Sequence, residues 1–478
     1  MPSIALGMFR RGLAALVVAS CVAMSVMSGG AASAQTERPL PPAPSADAFE
    51  SAAAGLVTGR LLYTTAANPT PRPLEFGYVT FYLLNPVSSR FEYQDSTSTF
   101  DADGDWSKAG LPAGTYIISF IQGTEEFVAR EWYAGERYGE SAMTVELFEG
   151  APLNFAPITL APRSVQFGRI AGADRFATNV ALTTAAFPTG GPVNVVIVNG
   201  LGYPDALSAG PLANALGAAL LMVTPTSIPA VVADELARLN PNVITIVGGT
   251  SVVSAEVEAE LGTYVSNPVT QVRRIAGADR YATSRAVLEV GFEGLAVETV
   301  LLATGRNFPD ALAAGPAAGH TRGAVLLVDG AAPTLDAATS ALIDGLNAPT
   351  YVIGGTGSVA PGIESAATAL GLSVTRVAGV DRYQTSIRVG IQFFFSADIA
   401  MVVNAFGFAD ALSAAPVGGL FGAPIYLSAP EWLPDTVYDE LVAVLANEVI
   451  VVGGTGVLAP AVQNFTSCTG RVGPVLSF

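Results

Sequence analysis

The sequence predicts a multidomain protein: an all-β sandwich followed by three tandem α/β modules, each built on a parallel sheet. Three observations carry this. Between residues 51 and 162, short runs such as GLVTGRLLY and FGYVTFYLL alternate apolar and polar positions between Gly, Pro, Asn and Asp turns, as half-buried strands do. From residue 163 onward one text is spelled three times. Within each copy, continuous apolar runs (VNVVIV, AALLMV and VITIV in the first) alternate with stretches of helical period such as SIPAVVADELARL. That is the rhythm of strand, helix, strand.

The chain opens on a targeting segment, residues 1–34. Arg10 and Arg11 form a positive start, Gly12 to Met27 is apolar but short for a membrane span, and Ala32-Ser33-Ala34 has the small-residue form of a cleavage site. Two other export readings stay open: the Arg pair fits twin-arginine export, and Val18-Ala19-Ser20-Cys21 has the form of a lipidation box. Cleavage after Ala34 is favoured because the apolar run continues past Cys21, and it leaves Cys468 as the lone cysteine, read as a buried apolar side chain. No later segment reads as membrane-spanning, so the expected product is secreted. Residues 35–50, QTERPLPPAPSADAFE, are Pro-rich without apolar periodicity and read as an extended linker.

The sandwich is expected over residues 51–162. Its stretches FDADGDWSKAGLPAGTYIISF and EFVAREWYAGERYGESAMTVEL resemble carboxypeptidase-regulatory-like, prealbumin-type domains. Asp101-Ala102-Asp103-Gly104-Asp105 invites a calcium reading, but Trp106 stands where an EF-hand needs Gly and Pro112 where it needs Glu, so a β-turn is preferred. Lys108, the single lysine beside 22 Arg, is read as solvated rather than as an isopeptide donor.

The modules are placed at 163–272, 273–374 and 375–478. Each opens on RIAGADRF, RIAGADRY or RVAGVDRY, continues through YPDALSAGPLA, FPDALAAGPAA or FADALSAAPVGG, and ends on IVGGT, VIGGT or VVGGT. The spacing is nearly fixed: Asp174, Asp279 and Asp381 precede Asp205, Asp310 and Asp410 by 31, 31 and 29 residues, and the first glycine of GGT follows those by 43, 44 and 43. Each unit of about a hundred residues is therefore a small Rossmann-like domain rather than a solenoid turn. The segment after the third GGT repeats the helix-then-strand continuation of the others, so Val472 to Leu476 is expected to add a last strand to the third sheet.

These three units resemble the cell wall-binding repeat 2 family, on the motifs R-I-A-G-x-D-R-Y, F-P-D-A-L-S-A-x-P-L-A and V-x-G-G-T. The resemblance implies three modules packed about a pseudo-threefold axis and holding an exported protein noncovalently to the Gram-positive wall. The implied partner is an anionic wall polymer or peptidoglycan-associated glycan.

The residues can also be read physically. Asp174, Asp279 and Asp381 stand where a carboxylate caps a helix start. Arg175, Arg280 and Arg382 then fall in the first helical turn, where the dipole disfavours a cation, and Asp205, Asp310 and Asp410 are the candidates to compensate them. Two roles compete: bidentate Arg–Asp struts between helix starts, which is favoured, or Arg contacts to phosphate or carboxylate on a polymer. Gly248-Gly249-Thr250, Gly354-Gly355-Thr356 and Gly453-Gly454-Thr455 follow apolar strands. They lack the G-x-x-x-x-G-K-S/T and G-x-G-x-x-G spacings, so a sharp turn that needs glycine is preferred to an anion cradle, and a dinucleotide enzyme is set aside.

A net charge of −17 argues against nucleic acid, whose binding needs clustered positive charge. The single histidine, His320, has no counterpart in the other modules and is read as a surface or helix-end residue; neither a zinc site nor a hydrolytic triad can be assembled around it. No cofactor or metal is expected. The preferred reading is a non-enzymatic wall-associated surface protein, and the alternative is a wall or polysaccharide hydrolase using paired carboxylates. One tension follows: residues 164–478 hold 13 Arg against 24 Asp plus Glu, a net charge of −11 for a proposed binder of anions. Local clustering of Arg is the expected resolution, with bridging divalent cations as the other.

Overall fold

The computed structural model describes residues 55–469 other than 66–67, 75–76, 86–89, 100–101, 123–130, 133–142, 161–165, 191–192, 267, 395–396 and 444–445. The expected targeting segment with Cys21, the expected linker and the expected strand at Val472 to Leu476 lie outside the described residues. The chain forms two compact units that divide after Val165.

In the first unit, one sheet contains Val57–Thr65, Asn68–Pro73, Asp105–Lys108, Leu153–Asn154 and Ile158–Leu160. The other contains Gly77–Asn85, Arg90–Thr99, Gly114–Gln122, Glu131–Trp132 and Val145–Leu147. Alternate side chains of both, including Val57, Leu61, Phe81, Trp106, Tyr116 and Ile118, share one core. The Asp-rich stretch is a turn: Gly104 has φ +71°, its carbonyl accepts from Leu61 N at 2.8 Å, and a Cβ there would lie 2.3 Å from Leu61 O. Asp105 is held by Arg60 through Nε at 2.6 Å and Nη2 at 2.9 Å. Lys108 is not simply solvated, because its ammonium pairs with Asp95 from a neighbouring strand.

The second unit holds three four-stranded parallel sheets. In the first, the order is Ala219–Val223, Val195–Asn199, Ile244–Val247, Val272–Ile275. In the second it is Ala324–Val328, Val300–Thr304, Thr350–Ile353, Val374–Val377. The inner strands are buried at nearly every position, as their unbroken apolar sequences require. The strand that opens each repeat in sequence therefore completes the sheet of the module before it.

The third sheet closes the circle. Its order is Gln166–Ile170, Glu448–Val452, Ile399–Asn404, Ile425–Ser428, so the strand that precedes module 1 is paired, parallel, into module 3. That strand lies beside Glu448–Val452, at the position that the opening strands of modules 2 and 3 take in the first and second sheets. Among the described residues, the strand at this edge comes from the other end of the repeat region.

The helix after each opening strand packs on the following module. In Arg175–Ala186, Asn179 Nδ2 donates to Leu220 O at 3.0 Å, and Asn179 Oδ1 accepts from Met222 N at 3.0 Å. Ser284 and Ser386 take over the second bond, accepting from Leu327 N at 2.9 Å and Leu427 N at 3.1 Å. These side chains satisfy backbone groups on the outer edge of each sheet, which would otherwise be open to pairing. Each R-I-A-G-x-D-R motif is thus a hinge between two modules, which is why it recurs once per junction.

Three central helices, Pro204–Ala215, Pro309–His320 and Ala409–Phe421, pack against one another and are buried almost all round. Small residues permit this approach. A Cβ on Gly315 would lie 2.9 Å from that of Ala415, and one on Gly418 would lie 2.9 Å from that of Pro316. His320 ends the second central helix and stacks on Phe394 of module 3 at 4.9 Å. Cys468 is exposed rather than buried: Ser467 turns inward in a bridge to Leu433, and its neighbour points out.

Candidate functional site

The hinge is built from its backbone outward. Asp174, Asp279 and Asp381 have extended backbone and cap their helices, accepting from Ala177 N, Ala282 N and Gln384 N at 2.8 Å each. Gly172, Gly277 and Gly379 lie so close to the first helical turn that a Cβ would meet its backbone or Cβ at 2.3 Å. Their N–H groups donate to Thr178, Thr283 and Thr385 Oγ1 at 3.0, 3.1 and 3.2 Å.

This cap aims the next side chain. Arg175, Arg280 and Arg382 donate Nη1 to the carbonyls of Gly200, Gly305 and Ala405 at 2.9, 2.6 and 2.8 Å, just past a central strand. The strut is therefore Arg to backbone, not the bidentate Arg–Asp pair that the spacing suggests. Compensating charge comes at longer range and from the preceding module: Asp205 feels Arg280, Asp310 feels Arg382, and Asp410 feels Arg175.

The carboxylates face the GGT turns instead. A Cβ on Gly248, Gly354 or Gly453 would lie 2.9, 2.5 or 2.6 Å from the Oδ2 of Asp205, Asp310 or Asp410. Those glycines have φ of +120°, +112° and +115°, which other residues rarely adopt. Gly249, Gly355 and Gly454 accept the turn-closing bonds from Val252, Ser358 and Val457 N at 2.9 Å, while Thr250, Thr356 and Thr455 are exposed. A turn lined by its own carboxylate is poorly suited to an anion.

Burial pushes all three carboxyls upward. The hydroxyl of Thr283 and the charge of Arg280 offset this at Asp205; Ser358, Thr385 and Arg382 do so at Asp310. At Asp410 burial is opposed by the charge of Arg175, and the pKa stands at about 6.

At the N-terminal ends of the central helices, Tyr203, Phe308 and Phe408 form a triangle with ring centroids 5.4, 5.7 and 5.9 Å apart. Each pair contributes about 0.5–1.5 kcal/mol beyond its buried area. Arg175 lies over Phe408 at 5.7 Å and Arg280 over Tyr203 at 5.8 Å, while Arg382 lies over Phe406 at 5.0 Å. Among the described residues, none of these guanidinium groups has a carboxylate within 4.0 Å. Three half-buried guanidinium groups thus each lie over an aromatic ring, two of them over rings of the triangle, despite the net negative charge of the region.

A second guanidinium set fastens the sheets. Arg169, Arg274 and Arg376, the first residues of the repeated motif, donate Nη1 to the carbonyls of Gly453, Gly248 and Gly354 at 2.6, 2.7 and 2.8 Å. Sequence reasoning misses this set, the aromatic triangle and the three threonines, although each recurs at a fixed offset from one of the repeated Asp residues. Among the described residues no group of three or more His, Cys, Asp and Glu converges, and no helix is long and apolar enough to cross a membrane.

Known proteins share this architecture. The chain is 27% identical over 310 residues to the N-acetylmuramoyl-L-alanine amidase LytC of Bacillus subtilis, covering 65% of this chain and 59% of that protein. It is 28% identical over 268 residues to the amidase enhancer of the same organism, covering 56% of this chain and 35% of that one. The chain thus spans less than two thirds of either relative. Among solved structures, Cwp6 from Clostridium difficile superposes with a TM-score of 0.59 at 21% identity, covering 84% of this chain and 64% of its own. Cwp8 from the same organism gives 0.55 at 22%, covering 73% and 57%. The family profile of cell wall binding domain 2 matches residues 169–258, 274–364 and 376–463, more than half of the chain and one match per module, and this protein belongs to that family.

Proposed function

We propose that this chain is a secreted, non-catalytic, wall-associated protein. Its three-module ring attaches noncovalently to an anionic polymer of the Gram-positive wall, and its β-domain, of prealbumin type, is displayed. The observation that carries the reading is a set of three fixed guanidinium groups beside aromatic rings, Arg175 over Phe408 and Arg280 over Tyr203 of the triangle and Arg382 over Phe406, none with a carboxylate within 4.0 Å among the described residues. Each spends one N–H on a backbone carbonyl, which fixes the guanidinium, and a planar fork so fixed suits phosphate or carboxylate. Exposed N–H groups on fixed Arg side chains support anion binding in a region whose net charge is −11.

The test is a pull-down of the full chain on purified Gram-positive walls. Binding is expected to weaken with added salt, to survive EDTA, and to fall when Arg175 and Arg280 are changed together to Gln. Loss with chelator and indifference to salt would transfer the role to bridging cations. Release of soluble fragments from the wall would favour the hydrolase alternative.

A further inference from the structure

The three modules share one crevice but differ at its lip. Past each central strand the chain turns through Asn199–Gly200–Leu201, Thr304–Gly305–Arg306 or Asn404–Ala405–Phe406. In every case the side-chain oxygen of the first residue accepts the N–H of the third, at 2.8, 3.2 and 2.8 Å. The turn is held constant while its third side chain varies.

In module 1 that side chain is Leu201, half exposed. In module 2 it is Arg306, which is engaged by both oxygens of Asp329, with Nη2 to Oδ2 at 3.0 Å. In module 3 it is Phe406, 60% exposed, with the Arg382 guanidinium 5.0 Å from its ring centroid. Val380, on the same hinge loop as Arg382, is 87% exposed. Arg382 gives one N–H to Ala405 O and, among the described residues, has no carboxylate within 4.0 Å. Asp381 caps the helix, and Asp310, which abuts Gly354, meets the Arg382 charge only at longer range.

An exposed aromatic face coupled to a fixed cation selects a ligand with two features. The ring's negative face matches the C–H-bearing face of a sugar, and the spare guanidinium N–H groups match a planar or tetrahedral anion. A polyanion without rings would use only the cation, and a neutral glycan only the ring. We propose that the Phe406–Arg382 lip of module 3 is the principal subsite of the ring and takes an anionic pyranose, a sugar ring bearing a carboxylate or phosphate. This rests on the reading of the ring as a wall-polymer anchor. It adds that the three modules are unequal, with the module 2 lip closed by its own ion pair.

The experiment uses the full chain on purified walls, with polygalacturonate, dextran and polyphosphate as soluble competitors. Phe406→Ala and Arg382→Gln are each expected to weaken wall binding about tenfold or more, Phe406→Trp to retain it, and Leu201→Ala and Arg306→Ala to change it less than about twofold. Unchanged melting temperatures for the Phe406 variants separate binding from folding. Polygalacturonate is expected to displace the protein, with dextran and polyphosphate at least about tenfold less effective. Wild-type affinity in Phe406→Ala, competition by dextran or polyphosphate equal to that of polygalacturonate, or competition by none of the three overturns the proposal. If wall binding then still falls when Arg175 and Arg280 are changed, the anchoring reading survives without this subsite; if the unmodified protein does not bind walls, the anchoring reading itself fails.

Discussion

Arg169 Nε donates to Gln463 Oε1 at 2.9 Å, whereas the equivalent Arg274 and Arg376 donate to carboxylates, of Glu258 at 3.2 Å and Glu364 at 2.7 Å. Two junctions of the ring are locked by ion pairs and the third by a neutral amide. That third junction is also where the chain closes on itself, through Gln166–Ile170 and Glu448–Val452, strands from opposite ends of the repeat region. Burial holds the Arg169 guanidinium below its ordinary pKa. Gln463→Glu is expected to raise stability by about 1 kcal/mol, the added worth of a charge-assisted hydrogen bond, and to slow hydrogen exchange of the amides at 167–170. Glu364→Gln should lower stability by a similar amount. Equal urea midpoints for Gln463→Glu and the wild type would remove the weak-seam account.

The same junction carries a pH dependence. Asp410 has a folded pKa of about 6 against an ordinary 3.8, so the folded state binds its proton more tightly than the unfolded chain. Its contribution to stability is fully present below about pH 4 and is lost as pH rises through about 6. Asp410→Asn keeps the shape and removes the charge. The variant is expected to match the wild type near pH 4 and to exceed it in urea midpoint at a pH of about 7.5. A difference that stays constant between those pH values would contradict this direction of the effect.

The first glycine of each GGT turn is fixed by two demands at once. Gly354 has φ +112°, and a Cβ would sit 2.5 Å from Asp310 Oδ2 and 3.1 Å from Asp310 Cγ. Asp310 is buried and cannot swing into solvent without opening the module. Gly354→Ala is expected to cost more than about 2 kcal/mol, from backbone strain plus displacement of the carboxylate. Gly355→Ala, whose Cβ would meet only Gly379 O at 3.9 Å, should cost under about 1 kcal/mol in the same urea titration. Similar losses for both would show that the turn, and not the approach to Asp310, sets the requirement.

Much of this was legible in the residues. The α/β character of the modules follows from unbroken apolar strands such as VVIVN and ALLMV, because only a sheet covered on both faces buries every position. The caps at Asp174, Asp279 and Asp381 follow from a short acceptor placed just before a helical pattern. The partner of each Arg was not legible, because a backbone carbonyl leaves no mark in the sequence. Nor was the exchange of strands between modules: a parallel strand pairs as well with a neighbour's sheet as with its own, and periodicity does not say which. The pairing of Gln166–Ile170 with Glu448–Val452, across the whole repeat region, is a fact of topology of that kind. The substitution of Gln463 for Glu was visible in the sequence, but it has meaning only once Arg169 is seen to reach it.

The axis of the central helices carries one further asymmetry. Asn214, Gly319 and Gly419 occupy equivalent places, and a Cβ on Gly319 or Gly419 would lie 2.1 or 2.2 Å from Asn214 Oδ1. One side chain thus fills a space in which three would collide. Asn214 is clamped there by Nδ2 donating to Pro416 O at 2.6 Å, while its Oδ1 is buried with no hydrogen-bond partner among the described residues. Gly319→Ala is therefore expected to destabilise the ring by about 2 kcal/mol or more, since Asn214 must give up its bond to Pro416 or the helices must part. In an Asn214→Gly background the same substitution should cost less than about 1 kcal/mol, so the two changes couple strongly in a double-mutant cycle. Additive losses would mean that the clash is relieved elsewhere, and that Asn214 does not set the spacing of the three helices.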